Sequence, residues 1–442
     1  MPAPAPALAP ALALAAPPVS ATLFAYQVGF GDCFLLRFTY EDKTRRHILI
    51  DFGTTGLTVK SPKDQMLRIA ADIADKCSER NDDKLNVVVA THRHADHISG
   101  FATNKGKGSG DVIASLKPER VLQPWTEAPD APVDSLGPDS KQGKQAFSSR
   151  RSALKQMHKT AALAVETIDS GKIKMSPALA GELRFIGEDN LSNKSAVNNL
   201  MSMGKNVYVF HGCDPGLGAI LPGIEVTVLG PPTLHQTDTI RKQRSRDVDE
   251  FWQLAPRRFA EAGGGGGAAP LFPDAPTFDL KIAEARWVAD RIDKAQGDMM
   301  LGLVRALDAQ MNNTSVILLF KAGKKKLLFP GDAQLENWRY ALQSDLAPLL
   351  DDVDLYKVGH HGSLNATPKS MWNRFAKRGA KDKPGRLTSV MSTRDGKHGS
   401  TDSGTEVPRS KLIKELSSQS TLVDTRTLPE DALYSVVEID LR

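Results

Sequence analysis

The chain has 442 residues, of which 40% are hydrophobic and 25% charged, with a formal net charge of +5. That is an ordinary globular balance with enough length for a large core, and the charge is too weak a field to require an anionic partner. Three widely spaced cysteines, Cys33, Cys77 and Cys213, form no CxxC pair. They indicate neither a disulfide framework nor a thiolate zinc site, and they fit a reducing compartment.

The opening MPAPAPALAPALALAAPPVSA has no Lys or Arg ahead of its apolar run, and prolines interrupt that run. It reads as an Ala/Pro tail over 1–20, not a secretion signal. No stretch approaches the ~18 apolar residues that span a bilayer. A soluble, cytoplasmic protein is expected.

Residues 22–40, TLFAYQVGFGDCFLLRFTY, alternate around a GFGD turn and predict a β-hairpin. RRHILIDFG, 45–53, is a third strand ending at Asp51. Apolar residues at Met66, Ile69, Ala70, Ile73 and Ala74 predict a helix within 62–80. NVVVA, 86–90, is a continuous apolar run, as in a strand buried on both faces, and it leads directly into THRHADHISG. Residues 126–150 read as a loop and 150–167 as a helix. IEVTVLGPP, 224–232, is a strand with a Pro stop. The segment 236–300, with RKQRSRDVDEF and five glycines at 263–267, reads as an insertion or linker. NNTSVILLFKAGKKKLLFPGDA, 312–333, predicts a second hairpin, followed by a helix in LENWRYALQSDL. DLYKVGHHGS, 354–363, is a strand leading to a His-His loop. Then come a strand in LTSVMST, the GKHGS loop, a helix near 408–417 and a last strand in LYSVVEIDL.

Three of the chain's ten histidines lie between positions 92 and 97. His92 and His94 are one residue apart, so in an extended loop their imidazoles point the same way. Imidazole is the commonest protein ligand for zinc, and Asp96 and His97 can face a second ion nearby. Four ligands on one loop suggest two ions and require partners elsewhere. Asp332, in FPGDA, and His360 and His361, in KVGHHGS, stand at strand ends where such partners belong. Taken alone, Asp332 reads as a helix N-cap and the His pair as buried or capping residues.

The ordered set of Asp51, HRHADH, GDA and HHGS resembles the metallo-β-lactamase superfamily. VGFGDCFLL, ILIDFG, NNTSVILLF, LLFPGDA, KVGHHGS and the late GKHGS followed by VPRSKLIKEL are similar to the soluble domain of ComEC-type competence proteins and their stand-alone relatives. The likeness covers 22–125 and 301–442. It implies an αββα sandwich of two mixed β-sheets flanked by helices, in the α/β class, with metals at one edge. The halves of that domain would be 21–125 and 301–442, with the remaining strands and insertions in 126–300. It also implies a ligand set for two zinc ions, with manganese as the other option. His92 and His94 would hold the first ion, Asp96 and His97 the second, and Asp332 would bridge. His360 or His361 would complete the second site, and Asp51 would orient the first histidine loop. Many members have a further histidine where this chain reads Asn312-Asn313, and His211 is the candidate substitute. His398, in GKHGS, would contact substrate or donate a proton. His158 and His235 read as surface residues and His47 as structural.

DFG at 51–53 lacks a kinase's Gly-rich loop and VAIK lysine, and VGFGD lacks the third glycine and following helix of a dinucleotide fingerprint. With no placed serine or cysteine nucleophile, the expected reaction is direct attack of water, with Asp96 as ligand and orienting group. The first reading is a phosphodiesterase or nuclease acting on nucleic acid or nucleotides, with Lys324 to Lys326 and RRSALKQMHK, 150–159, as candidate phosphate contacts. The alternatives are a hydrolase of a lactone, thioester or β-lactam, and a metal-binding interaction module whose inserts, 126–200 and 236–300, carry the function.

Overall fold

Backbone pairing sorts the strands into two sheets, most of whose side chains are buried on both faces. The computed structural model describes residues 16–80, 83–128, 166, 193–237, 312–363, 366–397, 406–429 and 432–442. The first sheet contains β1 (Ser20–Tyr26), β2 (Cys33–Thr39), β3 (Arg45–Phe52), β4 (Leu85–Val89), β5 (Arg120–Pro124), β6 (Lys205–Val209) and β13 (Tyr434–Asp440). Its order is β13-β1-β2-β3-β4-β5-β6, antiparallel from β13 to β3 and parallel from β3 to β6. The second contains β7 (Ile224–Gly230), β8 (Ile317–Ala322), β9 (Lys325–Phe329), β10 (Leu355–Lys357), β11 (Thr388–Met391) and β12 (Thr421–Asp424). Its order is β12-β11-β10-β9-β8-β7, antiparallel from β7 to β9 and parallel from β9 to β12. The rough twofold plan of the sequence is therefore a repeated strand plan. Each half lays down three antiparallel strands and then three more in parallel.

Both sheets are mixed, and they pack face to face. Ala21, Leu23, Leu36, Val87 and Val89 from one meet Leu318, Phe320, Leu327, Leu355 and Val390 from the other in a single apolar cluster. The outer face of the first sheet is covered by α1 (Gln65–Lys76), α3 (Ser109–Ser115) and α4 (Lys194–Ser202), through Ile69, Ile73, Ile113 and Leu200. The outer face of the second is covered by α5 (Leu335–Gln343), α6 (Lys369–Trp372) and α7 (Ser410–Gln419), through Trp338, Met371, Trp372 and Leu416. Each fully buried Leu, Val or Phe contributes roughly 1.5–3 kcal/mol of transfer free energy, so the three clusters supply the main stabilising term. This is an α/β arrangement of two mixed sheets flanked by helices. All five residues of β4 are buried, Val87 and Val89 between the sheets and Val88 under the helices. That explains its unbroken apolar run.

Three short strands carry no clear period in the sequence: β5 (RVLQP), β6 (KNVYV) and β12 (TLVD). β6 and β12 are edge strands with partly exposed side chains, so neither alternation nor a continuous apolar run is imposed on them. The tail over 1–15, most of the 126–150 loop, the 150–167 helix apart from residue 166, the charged stretch and glycines at 241–267, and the GKHGS loop from His398 onward lie outside the described residues. No helix among the described residues is long and apolar enough to cross a membrane.

One close approach couples the first sheet to the histidine loop. A Cβ on Gly53, just after β3, would lie 2.5 Å from the Asp96 carbonyl carbon and 2.6 Å from the Ala95 oxygen. All these atoms are backbone, so relief requires the loop to shift. Gly53→Ala is expected to destabilise the fold by about 1–3 kcal/mol. Urea unfolding measures this, and an unchanged midpoint would show that the loop can yield freely.

Candidate metal centre

The parallel strands of both sheets deliver polar side chains from their C-terminal ends. β3 delivers Asp51, and the chain after β4 delivers His92, His94, Asp96 and His97. The chain after β9 delivers Asp332, and that after β10 delivers His360 and His361. Asp96 and His97 sit in a one-turn helix, α2 (Ala95–Ile98), preceded by His94 in extended conformation. Gly331 lets the end of β9 press against Thr91. Its φ is +55°, and a Cβ there would lie 2.7 Å from the Thr91 Cβ.

Six of the expected residues converge. Asp96, His97, Asp332 and His361 form one buried group, and His92, His94 and Asp96 a second, with candidate ligand atoms in each within 4.8 Å of one another. His92 Nε2 and His94 Nδ1 are 2.9 Å apart. His361 Nε2 is 2.7 Å from Asp96 Oδ2, and His97 Nε2 is 3.0 Å from Asp332 Oδ2 and 3.8 Å from Asp96 Oδ2. Ligands held at roughly 2.0–2.2 Å around one tetrahedral ion stand about 3.3 Å apart, so these separations suit shared coordination.

Hydrogen bonds fix which nitrogen faces the centre. His361 Nδ1 donates to the Ser392 carbonyl at 3.0 Å, and His97 Nδ1 donates to Asp51 Oδ2 at 2.8 Å. The Thr91 hydroxyl donates to Asp51 at 2.7 Å, which leaves its oxygen to accept from His92 Nδ1 at 3.2 Å. In all three rings Nε2 is turned inward. Asp51 also accepts from the Thr91 amide at 2.7 Å, so one carboxylate holds both ends of the histidine loop. Outer partners of this kind set ligand orientation in metal sites. Asp51 (φ 54°), His360 (φ 47°) and His361 (φ 52°) all occupy the left-handed region, a strained choice for residues with a side chain.

The donor atoms fit a cation. Asp96 Oδ1 is buried and has no hydrogen-bond partner among the described residues, and the buried His97 Nε2 and Asp332 Oδ2 face each other at 3.0 Å. Buried polar atoms left without partners are rare and call for an ion or an equivalent charge. The donors are carboxylate oxygens and imidazole nitrogens without thiolate, a set suited to divalent zinc or manganese.

Electrostatics shows the cost of assembling these groups. Burial alone would raise Asp96 and Asp332, but His97 outweighs it in both, aided at Asp96 by His361 and at Asp332 by Lys357. Both carboxyls are held below the usual range. Burial pushes the His97 imidazolium down, but Asp332, Asp96 and Asp51 push it up further, well above its ordinary value. His361 is likewise raised, with its bond to Asp96 and the charges of Asp32 and Asp332 overcoming burial. His92 is held well below its ordinary value by burial and by His97 and His94, so it stays neutral.

No protein-family model matches the chain, and no curated protein matches it either.

Several expected residues stand elsewhere. His360 is in neither group, and its backbone N–H donates to Asp332 Oδ1 at 2.8 Å. Asp332, the expected bridge, is in one group only, whereas Asp96 belongs to both. The reason is that Asp332 Oδ1 is engaged by His360 N–H and by Lys357 Nζ at 3.3 Å, which leaves Oδ2 for the centre. His211 is in neither group. It donates to the Leu229 carbonyl at 2.8 Å and packs edge-on against Tyr340. Asn313 donates to Glu336 at 2.9 Å, and Asn312 is buried in the turn before β8. His47 meets the Lys84 carbonyl at 3.1 Å, and burial lowers its pKa to about 4. His235 is exposed, while His158 and His398 lie outside the described residues. Lys325 and Lys326 pair with Asp354 and Asp352 near the N-terminal end of β9, away from Asp332.

Sequence reasoning missed Asp32 and Lys357. Asp32, taken as part of a turn, is fully buried and grouped with Asp51 and His97. Lys357 is 2% exposed and pairs with Asp32 and Asp332. Its one signal is a lysine inside the apolar run that leads to the His pair.

Two outcomes follow from this geometry. Neighbouring carboxylates raise His97 and His361 above their ordinary values in the metal-free protein, and a proton on Nε2 must leave before either can ligate. Zinc affinity should therefore rise with pH across the neutral range. The stability that these protonated groups give the metal-free fold should be complete below ~6.5 and fade as pH climbs through their raised values. Calorimetric titration in two buffers of different ionisation enthalpy reads the proton release, and none would contradict the assignment. Asp51→Asn should lower zinc affinity about 10–100-fold with the fold retained, as read by competition with a chromogenic chelator.

Proposed function

We propose that the chain is a metal-dependent hydrolase of the metallo-β-lactamase type that holds two divalent ions, zinc or manganese, and cleaves phosphodiesters in nucleic acid or nucleotides. The observation that carries this reading is the meeting of His92, His94, Asp96, His97, Asp332 and His361 in two buried groups that share Asp96. His92, His94 and Asp96 would hold one ion, and Asp96, His97, Asp332 and His361 the other. When bound, such a pair lowers the pKa of water toward neutrality and takes up negative charge that develops on the substrate.

The protein's own groups do the rest. Asp96 would orient the attacking water and accept its proton through Oδ1, which has no hydrogen-bond partner among the described residues. The Asp51 contacts to Thr91 and His97 keep the imidazoles aimed during turnover. Phe30 packs on the His361 ring at 4.3 Å between centroids and braces it. His398 follows Lys397 in the chain and is the residue we assign to substrate contact or proton donation. Cysteine does not compete as nucleophile: burial and the neighbouring Asp51 push the Cys33 thiol well up, and burial also raises Cys213. A two-ion clamp on attacking and leaving oxygens suits phosphodiester cleavage best.

Metal content and cleavage of single-stranded DNA and of a chromogenic phosphodiester, measured on the same preparations, test the reading. The wild type should carry close to two ions per chain. Asp332→Asn should lose metal and lower cleavage by about 100-fold or more. A metal-loaded wild type that cleaves esters or lactones but no phosphodiester would move the substrate to small molecules.

A further inference from the structure

We propose that Lys357 is a resident internal cation that fixes how Asp332 binds metal. Lys357 lies at the end of β10 and is fully enclosed. Its ammonium forms an ion pair with Asp32, contacts Asp332 Oδ1 at 3.3 Å and donates to the Gly331 carbonyl at 3.1 Å. Asp32, Asp51 and His97 form a third buried cluster that resembles a cation site, and the lysine already supplies positive charge to it through Asp32. The clamp has a geometric effect. With Oδ1 of Asp332 held by Lys357 and by the His360 amide, only Oδ2 points at His97. The aspartate therefore acts as a one-oxygen ligand and cannot chelate a single ion with both oxygens. Lys357 also offsets one of the carboxylate charges around the centre, which moderates the pull on the ions. It is a positioning residue, because it reaches neither substrate nor the reacting atoms.

This inference rests on the metal-hydrolase reading, and its test separates the two. Removing Lys357 alone would leave Asp32 buried and uncompensated, whereas replacing both partners of a buried pair is often tolerated. The informative variant is thus Asp32→Asn with Lys357→Met, beside Asp32→Asn alone, which keeps the clamp on Asp332. Zinc affinity is measured by chelator competition, cobalt(II) coordination by its ligand-field spectrum, and folding by circular dichroism in chelator. The paired variant should fold, lose on the order of tenfold or more in affinity for one of the two ions, and give a weaker cobalt spectrum of higher coordination number. Asp32→Asn alone should keep both ions and the wild-type spectrum. If the paired variant does not fold, Asp32→Leu with Lys357→Met, an apolar replacement of both partners, carries the same expectation. Wild-type affinities and spectrum in a folded charge-free variant would overturn the role of Lys357 while leaving the metal reading intact. A wild type that binds neither zinc nor cobalt would overturn both.

Discussion

Carboxylates buried side by side repel. At an effective interior dielectric of about 20, two like charges 4 Å apart cost about 4 kcal/mol, besides the cost of removing each from water. This protein buries Asp32, Asp51, Asp96 and Asp332 at one edge of its sheets, every one of them nearly inaccessible to solvent. Such a group survives only with matching positive charge. Lys357 supplies part of it, protonated His97 and His361 can supply more, and divalent ions would supply the rest. The raised values of His97 and His361 follow from that need.

The scaffold meets the need by using its strand plan twice. β3 and β9 occupy equivalent places in their sheets, each at the junction of antiparallel and parallel strands, and each brings an aspartate to its C-terminal end, Asp51 within β3 and Asp332 in the turn after β9. β4 and β10 are the next strands in parallel, and each leads into histidines. The two aspartates then diverge in use. Asp51 turns to Thr91 and His97 and orients a loop, while Asp332 faces the centre with one oxygen. Ligands carried by strand ends of a well-packed core are placed more exactly than ligands on a free loop.

Much of this was legible in the sequence, because strong patterns have simple physical causes. Two-sided burial makes β4 an unbroken apolar run, and the density of His and Asp after it is costly unless used. The strands β1, β2, β3, β7, β8, β9 and β13 are legible from apolar patterning and turns, though their order in the sheets is not. What escaped were elements whose role depends on the far side of the fold. β6 and β12 lie at edges and need no pattern. Asp32 looked like a turn residue because its partner, Lys357, lies over 300 positions away. Which of two adjacent histidines enters the centre was also undecidable locally. It depends on the Ser392 carbonyl, which accepts a hydrogen bond from Nδ1 of His361.

The pairing of β13 with β1 runs through seven consecutive residue pairs, from Ser20 with Asp440 to Tyr26 with Tyr434. The earliest and latest strands of the described chain are thus neighbours, and the Thr22 hydroxyl is bonded to Glu438 across 416 positions. Closing so long a loop carries a large entropic penalty and slows assembly. During synthesis, β1 must wait with one bare edge until β13 has been made. The nascent chain is open to wrong strand partners over that whole interval.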